Sequence, residues 1–96
     1  MIRSFADGAS EQVFNGENSR IARRLPKELW PLIRRKLDAI NAAAALNDLR
    51  VPPGNRLEAL KGSQKGRYSI RVNDQFRITF RFECGHAWEV RCEDYH

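Results

Sequence analysis

Long apolar runs are missing from this 96-residue chain, where nothing approaches the ~20 consecutive apolar residues that a membrane helix needs. The opening Met1-Ile2-Arg3-Ser4-Phe5-Ala6-Asp7 lacks the apolar centre of a secretory signal, so a cytoplasmic protein with no membrane partner is expected. Cysteine is scarce as well. Cys84 and Cys92 stand eight apart with no second pair, which cannot supply a four-ligand zinc site by itself. Adding His86 and His96 gives four nominal ligands, but neither C-x-x-C nor H-x-x-x-H spacing is present, and no metal is expected. The cysteines read as reduced thiols packed as small hydrophobes, and His86, in a Cys-Gly-His turn, as structural or exposed.

What remains is an ordinary globular composition, 42% hydrophobic, with a slightly high 30% of charged residues. The length allows one domain, residues 1–96, with one core; a chain this size buries roughly 60–65% of its unfolded surface, enough to fold alone. The net charge of +5 is unevenly spread. From Arg50 to Arg81 there are eight cations against two acids, whereas Glu83, Glu89, Glu93 and Asp94 make the tail acidic around Arg91. A concentrated basic stretch points to a polyanionic partner, either nucleic acid or an acidic protein.

Patterning divides the chain into a helical first half and a stranded second half. Ile2 to Phe5 alternates like a short strand, with Asp7-Gly8 as its turn, and Ser10 to Phe14 reads as a short helix stopped by Asn15-Gly16. Ser19 is a plausible cap for a basic turn from Arg20 to Arg24. After Pro26, Leu29, Ile33, Leu37 and Ile40 recur at spacings of four, four and three, which predicts an amphipathic helix. Pro31 is tolerated in its first turn or delays its start to about residue 30, and Ala42 to Ala45 extends it until Asn47 to Gly54 breaks the pattern. Arg34, Arg35 and Lys36 lie mostly opposite the apolar stripe and read as a solvated face.

Beyond Gly54 the period changes to two. Tyr68, Ile70 and Val72 face one way; after a turn at Asn73-Asp74, Phe76, Ile78, Phe80 and Phe82 line the same side. A turn at Glu83 to His86 leads to a last strand in which Trp88 and Val90 are expected inward and Glu89 and Arg91 outward. The expected fold is α+β: a small antiparallel twisted sheet whose aromatic face is covered by the N-terminal helices.

If the phenylalanines face the core, Arg77 must project from the opposite face beside Arg71 and Arg81. Lys61 precedes this strand pair, followed by a Gly-Ser-Gln-Lys-Gly loop, and Tyr95-His96 closes the chain. RNA cleavage by 2′-hydroxyl attack needs such groups: a base for the 2′ proton, an acid for the leaving 5′ oxygen, and cations for the charge gathering on phosphorus. Tyr95 also suits stacking on a base. On spacing alone, plain nucleic-acid or protein binding fits the same residues.

The opening Met1-Ile2-Arg3-Ser4-Phe5, Leu57-x-x-Leu60-Lys61-Gly62, Tyr68-Ser69-Ile70, Phe76-Arg77-Ile78-Thr79-Phe80 and the terminal Glu93-Asp94-Tyr95-His96 resemble the HigB-type toxins. These belong to the RelE/ParE superfamily of type II toxin–antitoxin systems, and the resemblance covers essentially the whole chain. It implies a RelE-like fold and a ribosome-dependent mRNA endoribonuclease that blocks translation without metal or cofactor. It also implies a helix-turn-helix, HigA-like antitoxin, through which alone operator DNA would be reached. On the matching positions, Lys61 and Arg77 would stabilise the scissile phosphate, Tyr95 would orient or protonate, and His96 would be the acid–base group. Arg71, Arg81, Lys65 and Arg67 would add contacts to RNA. Some members carry histidine three residues before the lysine; here that residue is Glu58, a candidate base or a partner for Lys61. Two alternatives accompany this reading: a gyrase-inhibiting toxin of the ParE branch, and a degenerate toxin acting through its antitoxin.

Overall fold

The computed structural model describes residues 1–94. Two α-helices, α1 (Gly8–Phe14) and α2 (Trp30–Ala42), precede four strands: β1 (Glu58–Ala59), β2 (Arg67–Arg71), β3 (Phe76–Glu83) and β4 (His86–Asp94). The strands form one antiparallel sheet in the order β1-β2-β3-β4. The α+β expectation is met, with both helices on the apolar side of the sheet.

Helix α1 starts two residues earlier than the sequence pattern suggests, because Asp7 caps the helix and does not form a turn. Its Oδ1 accepts the Ser10 N–H at 2.9 Å, satisfying one of the free donors at a helix start. Ser10 is fully buried, and its Oγ accepts the Cys92 N–H at 2.8 Å, which ties α1 to β4. Ser19 behaves as its type predicts: its Oγ accepts the Ala22 N–H at the head of a short 3-10 turn, Ala22–Arg24.

Pro26 and Pro31 bracket a 3-10 turn, Lys27–Leu29, and α2 proper begins at Trp30. Ile33, Leu37 and Ile40 are fully buried, as their spacing requires. The helix stops at Ala42, the first residue of the alanine run, and the expected extension to Ala45 is not formed. Asp48 Oδ2 accepts the N–H groups of both Ala44 and Ala45 at 3.0 Å, so these amides are bound outside the helix. Farther on, Asn55 is fully buried, and its Nδ2 donates to the carbonyls of Leu49 and Val51 at 3.1 and 3.4 Å. Its Oδ1 accepts from Lys36 Nζ on α2. Burial pushes the Lys36 ammonium below its ordinary value, with Arg35 and Arg71 adding repulsion. Asn55 thus fastens the segment that leads into β1.

In β2 and β3 the alternation holds. Ile70, Ile78 and Phe80 are fully buried against α2, while Arg67, Arg71, Arg77 and Arg81 face outward. The β3–β4 hairpin turns through Cys84 and Gly85, both at positive φ, the geometry that matches the twist of a two-residue hairpin.

Strand β4 departs from the expected alternation. Arg81 pairs with Trp88 and Thr79 with Arg91, so Glu89 and Val90 together oppose Phe80, forming a β-bulge. Glu89 takes φ +53° at this point, and its freed N–H donates to Ser4 Oγ at 2.8 Å. Ala87, Val90 and Cys92 therefore face the core, and Trp88 sits on the outer face with Arg81. The expectation that Trp88 packs inward is overturned by this one extra residue. The N-terminal segment forms two parallel bridges to β4, Ile2 with Ala87 and Phe5 with Val90, in place of a full strand, and covers that sheet edge.

Of the two free cysteines, Cys92 is buried as expected, but Cys84 is exposed in the hairpin turn. Burial, with Asp7 and Glu93 adding to it, pushes the Cys92 thiol up to about 12. With the folded value raised above the unfolded one, the unfolded chain loses this proton first as pH rises. Cys92 therefore favours the fold fully below about pH 9, and that contribution is lost between about 9 and 12. A thiol reagent at pH 8 should label one equivalent, Cys84, quickly and Cys92 only on unfolding; two fast equivalents would contradict the burial. Asn55→Ala should lower stability by about 1–3 kcal/mol in urea unfolding with the slope unchanged, since it strands buried polar groups.

Candidate active site on the outer face of the sheet

Strand pairing arranges the outer face in three rows. Arg71, Arg77 and Glu93 form the first; Glu58, Ser69, Thr79 and Arg91 the second; Arg67, Arg81 and Trp88 the third. Basic side chains from β2 and β3 are met by acidic ones from the chain's tail, so the two charge blocks of the sequence interleave across the sheet.

Arg77 is held from several sides. Its Nε donates to Ser69 Oγ at 3.0 Å and its Nη2 to the Arg56 carbonyl at 2.7 Å, and Glu58 stands 3.6 Å from Nη1. Its side chain is only 11% exposed, against 55% for Glu58. Glu58 therefore pairs with Arg77, and the expected partnership with Lys61 is not formed. The reason lies in β1: two residues of pairing place Glu58 opposite Ser69, the residue that Arg77 leans on.

A cleft of about 460 Å³ opens beside this row, lined by Lys61, Gln64, Arg67, Thr79, Glu89, Arg91 and Glu93. Lys61 and Lys65 are exposed and form no ion pair with a described residue. Arg67 reaches across to the Glu89 carbonyl at 3.2 Å and to its carboxylate at 3.5 Å. Thr79 Oγ1 donates to Glu93 Oε2 at 3.1 Å and accepts from Arg67 at 3.4 Å. Arg91 lies 3.5 Å from Asp7 and 3.8 Å from Glu93. An exposed ion pair is worth about 0–1 kcal/mol, so an incoming phosphate can displace these carboxylates cheaply.

Of the residues expected at the site, Lys61 and Arg67 line the cleft; Arg77 shares a row with the cleft residue Glu93 and Glu58 one with Thr79 and Arg91, but neither lines it. Arg71 pairs with Asp74 at the hairpin turn, and Lys65 stands at the end of the 62–64 turn. Arg81 is bound by Glu83 at 3.0 Å and Glu89 at 3.2 Å, hydrogen bonds that raise its already high pKa. Tyr95 and His96 lie outside the described residues. Strand β4 ends with Asp94 opposite Phe76 and Glu93 opposite Arg77, so the chain arrives at residue 94 one strand from Arg77. His86 is half-buried beside Arg3, its Nε2 3.3 Å from the guanidinium.

Five residues of these rows were not singled out from the sequence as site residues: Ser69, Thr79, Arg91, Glu93 and Trp88. Alternation already turned Arg91 and Thr79 outward, and a cleft assignment for them was readable from that. Glu93 counted only as part of the acidic tail and of the terminal Glu93-Asp94-Tyr95-His96 motif. No signal in the sequence marks the bulge that exposes Trp88.

Comparison with known proteins agrees with this picture. The family described as "RelE-like toxin of type II toxin-antitoxin system HigB" matches residues 3–96. The chain is 42% identical over 87 residues to Toxin HigB-1 of Vibrio cholerae, covering 91% of this chain and 90% of that one. It is 32% identical to Endoribonuclease HigB of Proteus vulgaris over the full length of both. Among solved structures, the YoeB–YefM complex of Staphylococcus aureus matches with a TM-score of 0.62 at 19% identity, covering 100% of this chain and 98% of that one. The YoeB/ParE toxin of Agrobacterium tumefaciens matches at 0.56 and 15%, covering 98% and 99%; at these identities the likeness speaks for the fold. A basic sheet face on a RelE-like fold and a match along nearly the whole chain lead to one conclusion: this chain belongs to the HigB-like toxins of type II toxin–antitoxin systems.

Proposed function

We propose that the protein is an endoribonuclease that cuts mRNA on the ribosome and so arrests translation. The observation that carries this reading is that the Arg77–Glu58 pair and the cleft lined by Lys61 and Arg67 lie on the same outer face of the sheet, in a HigB-like chain. The Proteus vulgaris relative, an endoribonuclease by name, supports it.

The 2′ oxygen of the nucleotide before the cut attacks phosphorus after losing its proton to a base. The bond to the 5′ oxygen then breaks, and an acid protonates that oxygen, leaving a 2′,3′-cyclic phosphate and a 5′-hydroxyl. Lys61 and Arg77 hold the phosphate oxygens on which charge builds, Arg77 already oriented by Ser69 and the Arg56 carbonyl. Glu58 is the counter-ion that keeps the Arg77 guanidinium in place until a phosphate takes it over, and it is a second candidate for the base. The proton transfers fall mainly to His96, with Tyr95 orienting or protonating the leaving group. Arg67, Lys65 and Arg71 serve the flanking strand. The activity is silenced by a HigA-like helix-turn-helix antitoxin that reaches operator DNA; the toxin–antitoxin complexes of the related fold in Staphylococcus aureus support an antitoxin partner.

Expression in a bacterial host should arrest growth, and primer extension should find cuts only in translated messages. Lys61→Ala, Arg77→Ala and removal of residues 95–96 should each restore growth, with cleavage reduced about 10²–10³-fold by loss of a charge-stabilising group and the far-UV spectrum kept. Undiminished toxicity of all three variants would place the site elsewhere. Intact mRNA with failed DNA supercoiling would favour the gyrase-directed branch of the superfamily.

A further inference from the structure

Arg81 has the wrong surroundings for a phosphate clamp. Its Nη1 lies 3.0 Å from Glu83 Oε1 and its Nε 3.2 Å from Glu89 Oε1, so its in-plane donors are already turned towards two carboxylates. Glu89 additionally faces Arg67. A phosphate approaching along the guanidinium plane meets those carboxylates before it meets the charge.

The flat faces of the guanidinium are another matter. The central carbon of the guanidinium lies over the Trp88 ring, 5.5 Å from its centroid. The side chain remains 34% exposed. Trp88 is there because of the bulge at Glu89, and its indole nitrogen is covered and bonded to no described group. The ring is thus seated on the sheet and supports the guanidinium from beneath. A planar cation held at Nε and Nη1 by carboxylates and lying over an aromatic ring offers a ligand a surface on which another flat π-system can lie.

We propose that Arg81 and Trp88 form a stacking shelf for one unpaired base of the RNA strand. The arginine works there through its planar face, while its charge is balanced by Glu83 and Glu89. The proposal rests on the reading of this face as an RNA site and specifies how that site holds a flanking nucleotide. Arg81 and Trp88 occupy the third row of the face, four residues along β3 from Arg77, which is about 14 Å at the usual strand rise. The base held there therefore flanks the cut and is not the nucleotide whose ribose reacts.

The test uses the full chain and a 2′-O-methyl oligoadenylate pentamer, which lacks the attacking hydroxyl and is not cut. A pentamer of the same backbone with abasic central positions is the control. Replacing one of the two tryptophans, Trp30→Phe, leaves Trp88 as the reporter. The oligoadenylate should quench Trp88 fluorescence and the abasic strand should not. Arg81→Lys, which keeps the charge and removes the plane, should weaken oligoadenylate binding about tenfold and leave abasic binding unchanged. Equal affinity of Arg81→Lys and the parent chain for oligoadenylate, or an equal loss for both strands, would overturn the shelf. The comparison of the two strands on the unsubstituted chain by anisotropy needs no variant to fold: about a tenfold preference for the strand with bases supports the proposal, and no preference overturns it. Loss of mRNA cleavage with the base preference intact would count against the ribonuclease reading alone, and cleavage without the preference against the shelf alone.

Discussion

A strand has only two faces, and β3 has committed one of them. Phe76, Ile78 and Phe80 fill the core against α2, which forces Arg77, Thr79 and Arg81 to the other side. Everything functional in the molecule depends on that division. The apolar side is worth several kcal/mol, with a single large-to-small change at Phe80 costing about 3–5 kcal/mol, so the register cannot slip to suit the outer face. The position of Arg77 is therefore set by hydrophobic packing on the side it does not touch. Its orientation is set by polar neighbours: Ser69 across the sheet and the Arg56 carbonyl from the segment that Asn55 fastens.

The outer face is basic by composition yet largely neutralised in the folded chain. Glu58, Glu83, Glu89 and Glu93 each approach an arginine that a reading of charge alone would count as available for RNA. These contacts are mostly solvent-exposed and individually weak, so they orient guanidinium groups without blocking them. They also leave the cations in different settings. Lys61 and Lys65 carry charge with no described counter-ion. Arg77 is held by Ser69, the Arg56 carbonyl and Glu58. Arg81 is held by Glu83 and Glu89 and lies over Trp88.

The legible part of this molecule is where one simple period runs uninterrupted. The α2 stripe and the faces of β2 and β3 follow from residue spacing, and with them the side of the sheet on which Lys61, Arg67, Arg71, Arg77 and Arg81 lie. The illegible parts turn on single residues that change the period or choose between partners. Asp7 caps a helix where Asp-Gly suggests a turn. Glu89 adopts a left-handed backbone that no local composition announces, and one inserted residue moves Trp88 from the core to the outer face. Glu58 lies three residues from Lys61 in sequence, but strand pairing puts it beside Arg77. Such choices are made by tertiary contacts, here by Ser4 accepting the bulge amide and by Ser69 fixing the register of β1. The roles of Tyr95 and His96 rest on the family resemblance.

The central claim is chemical: this face cuts RNA by using the RNA's own 2′-hydroxyl. The direct measurement is cleavage by the purified chain of a message on programmed ribosomes, with one 2′-deoxy nucleotide placed immediately before the cut. The account predicts that this bond stays intact while the all-ribose message is cut there, leaving a 2′,3′-cyclic phosphate. Cleavage at the deoxy position at the ribose rate would contradict it.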